Sequence, residues 1–119
     1  MKSSLDLLRK APDLALQEGE EILNSYTASH DVGGSVFSSW RVGNLYLTKK
    51  RLLFVQVRKV LFQIPLERIQ KMEIVKRRWI LGKRVEQLCI WWDSDRIKRV
   101  FIAVKNPQKW KETVETLKA

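Results

Sequence analysis

The chain has one imidazole and one thiol, His30 and Cys89. That is too little for a His/Cys metal set, and nothing pairs the two as nucleophile and base. His30 precedes Asp31, an acid that can orient a general base. No nucleophile or oxyanion donors accompany them, so they read as a solvated pair in a loop. Cys89 alternates with Leu88 and Ile90 and reads as a small buried hydrophobe. Asp93 and Asp95 in "WWDSDR" are spaced like two calcium ligands, but no third ligand or terminal Glu follows, and a tight turn fits them better. Gly33-Gly34 lacks the Gly-Lys-Ser/Thr of a phosphate loop. The residues therefore predict no catalytic group, no metal and no cofactor.

They point instead to binding. In "VKRRWILGKR", Lys76, Arg77, Arg78, Lys83 and Arg84 flank Trp79, Ile80 and Leu81. As a hairpin tip, the three apolar residues would enter a lipid interface, where Trp is favoured, with the cations against acidic headgroups. At roughly 1 kcal/mol per cation, five supply about 5 kcal/mol, so a complex of about 0.1–1 mM. Firm residence would need oligomerisation or a second signal. As an ordinary strand, Val75, Arg77 and Trp79 share one face, Lys76, Arg78 and Ile80 the other, and the cations are merely solvated. Both readings are open, with a protein contact as a third.

The whole chain is basic, with 23 Lys and Arg against 13 Asp and Glu in 119 residues. The excess is uneven: three basic and six acidic side chains in residues 1–35, twenty and seven in residues 36–119. Anionic partners are expected at the second part. A single cysteine suits a reducing compartment, and a cytoplasmic location, with peripheral contact at the inner membrane face, is the expectation. The N-terminal leucines are interrupted by Asp6, Arg9, Lys10 and Asp13, unlike a signal peptide, and no run approaches the roughly 18 apolar residues of a span.

The positioning elements follow from periodicity. "SSLDLLRK" predicts a short helix capped by Ser4, within an N-terminal extension over residues 1–15 that Pro12 ends or kinks. Glu21 to Ser29 reads as a first strand. After a loop at Gly33-Gly34 come "WRVGNLYLT", "RLLFVQV", "VLFQIPLERI", "QKMEIVKRRWI", "RVEQLCIWW" and "IKRVFIAVK", separated by short turns. Of Trp91 and Trp92, one should face the core; the other packs under Leu5 and Leu8 or is exposed. Residues 106–119 change period: Asn106 is an N-cap candidate, Pro107 suits the first helical position, and Trp110, Val114 and Leu117 form one stripe. An up-and-down walk places the turns at Gly33-Gly34, Arg58-Lys59 and Gly82 on one rim, which would join Arg58, Lys59, Lys83 and Arg84 into one anion site. The whole is one domain, residues 1–119: a seven-stranded antiparallel barrel with a C-terminal helix.

These residues resemble the GRAM domain, a branch of the pleckstrin-homology-like superfold. The likeness rests on Leu16, Gly19 and Glu20; on Gly43, Leu45, Leu47, Thr48, Arg51, Leu52 and Phe54; and on Ile64, Pro65, Leu66 and Ile69. It implies a bent barrel of two near-orthogonal sheets, capped at one end by the C-terminal helix. It also implies a non-catalytic module that binds phosphoinositides or membranes, or other proteins. The loop between the first two strands lacks the Lys and Arg that headgroup-binding relatives carry there. Peripheral association with anionic lipids is the leading expectation. Interaction with a protein, or self-association, through a Trp-rich surface is the alternative. A basic chain with Trp79, Trp91 and Phe101 among its cations also fits nucleic acid, but no recognition helix, zinc finger or RNP-like motif accompanies them.

Overall fold

In "GNLYLTKKRLLFV" both faces of each strand are apolar, and the computed structural model shows why. It describes residues 16–31, 40–79 and 83–119. Strand β2 (Trp40–Leu47) pairs antiparallel with β3 (Arg51–Gln56). On one face Leu45, Leu47, Leu52 and Phe54 are fully buried in the main core. On the other, Tyr46, Leu53 and Val55 are covered by Leu16 and Ile22 of the leading segment. Strands buried on both faces lose the polar alternation of a half-exposed sheet. Gly43 in β2 leaves no room for a side chain against β3: a Cβ there would sit 2.3 Å from the Val55 carbonyl oxygen.

The remaining strands are β1 (Asn24–Asp31), β4 (Lys59–Pro65), β5 (Ile69–Arg78), β6 (Arg84–Asp93) and β7 (Ile97–Val104). A 3-10 turn, Leu66–Arg68, joins β4 to β5. Seven antiparallel strands with one C-terminal helix agree with the sequence reading. They form one sheet rather than two, in the order β4-β3-β2-β1-β7-β6-β5, unclosed between β4 and β5. The link is β1, which pairs with β2 along its whole length but with β7 only at Ala28, Ser29 and His30. The first strand starts at Asn24, three residues later than expected, because the chain first turns at Gly19 (φ +77°). The N-terminal helix, the Gly33-Gly34 loop and the tip Ile80, Leu81 and Gly82 lie outside the described residues.

Helix α1 (Pro107–Lys118) closes the core with the predicted stripe: Trp110 and Val114 are buried and Leu117 packs beside them. Asn106 holds the N-cap position in a left-handed conformation (φ 54°) but makes no side-chain cap. At the other end the Lys118 ammonium donates to the Ile69 carbonyl.

His30 departs from its sequence reading. It is no loop residue but sits in β1, on the core face, edge-on to Phe54 (4.8 Å) and Phe62 (5.0 Å). Among the described residues neither ring nitrogen has a hydrogen-bond partner. Its polar type and its place just ahead of a glycine loop carry no sign of this burial. Burial, with a smaller push from Arg41 and against the pull of Asp31, lowers its pKa from the ordinary 6.5. The folded ring is thus neutral where the unfolded one takes a proton, so stability falls as pH drops below about 6.5. His30→Leu should raise stability by about 1 kcal/mol, by removing two buried unpaired nitrogens. It should also flatten the pH dependence of thermal unfolding below that value.

Candidate functional site

The basic stretch singled out by the sequence is the distal half of the β5–β6 hairpin. The ladder runs unbroken from Met72 opposite Ile90 to Arg78 opposite Arg84. The Trp79 N–H donates to the Lys83 carbonyl (2.7 Å) and extends it by one more pair. Alternation then sends Arg77 and Trp79 to one face, Lys76 and Arg78 to the other.

Arg77 is held, not displayed. Its guanidinium donates to Gln87 Oε1 (3.2 Å) and to Asp31 Oδ2 (3.0 Å), and it lies 3.7 Å over the Phe101 ring. The Trp40 ring is 6.0 Å away. Gln87, fully buried, returns its amide N–H groups to the carbonyls of Arg77 and Arg78. The half-buried Trp79 donates its indole N–H to Ser29 Oγ (2.8 Å). Asp31, Ser29 and Phe101 alternate with the core residues His30, Ala28 and Ile102. The hairpin therefore curls over the face of β1 and β7 that points away from the core. Sequence periodicity missed these partners because they lie two and three strands away, along a diagonal that only the twist of the sheet shortens.

The other four cations differ. Lys76, Arg78, Lys83 and Arg84 are exposed. Among the described residues, none of their side chains makes a hydrogen bond or an ion pair. Arg78 and Arg84 stand directly opposite one another. Like charges in that position destabilise a sheet by a few tenths of a kcal/mol or more.

Arg58 and Lys59 are also exposed. The turn between β3 and β4 is Val57-Arg58, one residue earlier than expected, with Val57 at φ 57°, and Lys59 already opens β4. The expected common rim is not formed along the ladder. The 3-10 turn after Pro65 brings β5 into the sheet in the same sense as β4, so the β5–β6 tip leaves at the end opposite to the β3–β4 turn. Arg58 and Lys59 thus lie at one end of the strand ladder, and Lys83 and Arg84 at the other.

The tryptophans also sort out. Trp92 faces the core, stacked 6.4 Å from Phe62, while Trp91 is on the other face with the Lys71 ammonium 5.2 Å above it. Cys89 is buried, and burial pushes its thiol up to about 11, which makes it inert. Among the described residues no group of three His, Cys, Asp or Glu could hold a metal, and no helix is long and apolar enough to cross a membrane.

A second charged cluster explains the sequence motif itself. Glu20, with no side-chain exposure, accepts from the Arg51 guanidinium at both oxygens (2.9 and 3.0 Å), from the Thr48 hydroxyl (2.7 Å) and from the Gln17 N–H (2.9 Å). Burial would raise its pKa, but these donors outweigh that and hold it at about 2. Arg51 also reaches Gln63 Oε1 (2.6 Å). The network ties the leading segment to the β2–β3 turn.

No family model and no curated protein sequence matches the chain. Solved structures do. The C-terminal domain of an unknown protein from Leishmania infantum superposes with a TM-score of 0.69 at 18% identity, over 97% of each chain. The hSac2 domain from human phosphoinositide phosphatase Sac2 gives 0.57 at 18% identity, over 99% of this chain and 85% of that one. At this identity the likeness is one of fold.

Proposed function

We propose that the chain is a GRAM-type, pleckstrin-homology-like binding module that associates peripherally with anionic membranes through the β5–β6 hairpin. The observation that carries this reading is the exposed Arg78–Arg84 pair with Lys76 and Lys83 beside it. Four cations at one hairpin end have no partner among the described residues, and the two set directly against each other favour an anion between them. The strand order, the closing helix and the resemblance of the motif residues support the family. That one fold neighbour is a domain of a phosphoinositide phosphatase is in keeping with a lipid surface. Trp79, Ile80 and Leu81 would form the apolar tip. Trp79 would stand at the base of that tip, its indole N–H held by Ser29 of β1.

The electrostatic yield is smaller than the sequence suggests. With Arg77 committed to Asp31, four cations supply about 4 kcal/mol, a complex near 1 mM unless the tip adds to it. Arg58 and Lys59 are too far along the ladder to be counted in the same patch. The tryptophan surface of the alternative reading is reduced as well. Trp92 and Trp110 face the core, and Trp40 and Trp91 are half-buried beneath cations.

Co-sedimentation with liposomes tests this. Wild type should bind phosphatidylserine-containing vesicles at low salt, bind less at physiological salt, and ignore neutral vesicles. Changing Lys76, Arg78, Lys83 and Arg84 together to Gln should weaken binding by about 1,000-fold. Trp79→Ala/Leu81→Ala should weaken it further at high salt, where the apolar tip carries more of the affinity. Equal binding of the wild type and the Gln variant would rule the hairpin out.

A further inference from the structure

Where β1 and β7 part company, the sheet has a hole in its outer layer. The two strands pair at Ala28, Ser29 and His30 and nowhere nearer the N-terminus of β1. Among the described residues, Tyr26 and Thr27 therefore lack a strand neighbour on that side. The docked hairpin bridges the gap from above, and a slot of about 400 Å³ remains beneath it. That lies within the range of small-molecule sites, about 300–1,000 Å³.

Its lining has a definite chemistry. The floor is the small cross-strand pair Ser29 and Ala103; the walls are Trp79 and Val85 of the hairpin and Tyr26 and Val42 of the sheet. Ser29 Oγ accepts from the Trp79 indole, and Thr27 is the other hydroxyl in a lining that is otherwise mostly apolar. Tyr26 is 45% and Val42 52% exposed, two of the five large apolar side chains that the described surface shows to water. Apolar side chains left wet around a concavity mark a binding site more than a solvated surface. At the mouth stand Lys105, its ammonium 5.9 Å from the Tyr26 ring, and Glu86.

We propose that this slot binds the aliphatic chain of an anionic amphiphile, with the head at Lys105. The floor of small side chains leaves room for an aliphatic chain, and the Lys105 ammonium at the mouth supplies the cation for the head. The inference extends the membrane reading by naming the ligand chemistry, but does not depend on it. Such a chain can come from a bilayer lipid or from a free single-chain amphiphile.

The test is a calorimetric titration of the full chain with decyl phosphate below its micelle-forming concentration, with inorganic phosphate as control. Decyl phosphate should bind and inorganic phosphate should not. Val42→Glu, at an exposed position that leaves the core intact, puts an unpaired carboxylate in the slot. It should weaken binding by more than about tenfold. Lys105→Ala should weaken it about fivefold. The Gln variant of the four hairpin cations should still bind through its chain, which separates this proposal from the membrane one. If Val42→Glu also lowers binding to phosphatidylserine vesicles, the chain is drawn from the bilayer; if vesicle binding is kept, the ligand is a free amphiphile. Equal affinity of wild type and Val42→Glu for decyl phosphate, or equal affinity of wild type for both probes, would overturn the proposal.

Discussion

Replacing Glu20 by Ala is expected to destabilise the protein by about 3–5 kcal/mol. The carboxylate has no exposed surface, and its four hydrogen bonds come from three separate places: the Gln17 backbone, the Thr48 hydroxyl and the Arg51 side chain. Removing it takes the carboxylate away from the Arg51 guanidinium, which is only 13% exposed. It also unties Leu16 and Ile22 from the apolar face of Tyr46, Leu53 and Val55. The sign of the pH dependence is fixed by the same contacts. Glu20 titrates near 2 in the folded chain and near 4.5 unfolded. Its contribution is complete above about pH 4.5 and is lost as pH falls toward 2; the difference corresponds to about 3 kcal/mol. Urea unfolding of wild type and Glu20→Ala at pH 7 and pH 3 measures it. The gap between the two should narrow on acidification, and a constant gap would mean that the ion pair is not the source.

Gly43→Ala should cost about 3 kcal/mol, although alanine is a small residue in a half-buried strand position. The added methyl would stand 2.3 Å from the Val55 carbonyl oxygen, 3.0 Å from its carbon and 3.1 Å from Phe54 Cε1. Two of these are backbone atoms, so no rotamer change relieves them. β2 and β3 must move apart, and Phe54, with no exposed surface, moves with them. Thermal unfolding by circular dichroism should show a drop of about 10 °C or more, given about 3–6 °C per kcal/mol between the values for smaller and larger domains. A neighbouring control, Val42→Ala, removes an exposed side chain and should shift it little.

The parts of the fold that were legible in the sequence are those set by local period. Alternating Leu45 and Leu47, Leu52 and Phe54 gave strands, and Trp110, Val114 and Leu117 gave the helix, because each pattern is read within a few residues. The order of the strands and the sense of β5 depend on what the chain does after Pro65, where three residues of 3-10 turn reverse the expectation. Side-chain pairs were legible only when a motif marked them. Thr48 and Arg51 sit in one, and their partner Glu20 in another, though nothing in the spacing says that they meet. Arg77 and Asp31, 46 positions apart, carry no such mark. From sequence, Arg77 was one of five equivalent cations; the sheet's twist makes it the one that is spent internally. His30 failed for a related reason, since a polar residue type argues for the surface, and only the packing of Phe54 and Phe62 puts it inside.

The unclosed sheet has a consequence for how these cations are to be replaced. Among the described residues, β4 and β5 each present a row of backbone donors and acceptors with no strand beside them, and β5 is ten residues long. Long bare edges recruit other chains unless something repels them. β4 ends in Pro65, which cannot donate. On β5 the deterrent is charge: Lys71, Glu73, Lys76 and Arg78 recur along the strand. Lys76 and Arg78 are therefore expected to discourage edge-to-edge pairing of copies of the chain as well. A variant that neutralises them should scatter more light at high protein concentration than wild type, and should do so without any lipid. Pelleting of such a variant would then report self-assembly rather than attachment, and a lipid-free spin is the control that separates the two.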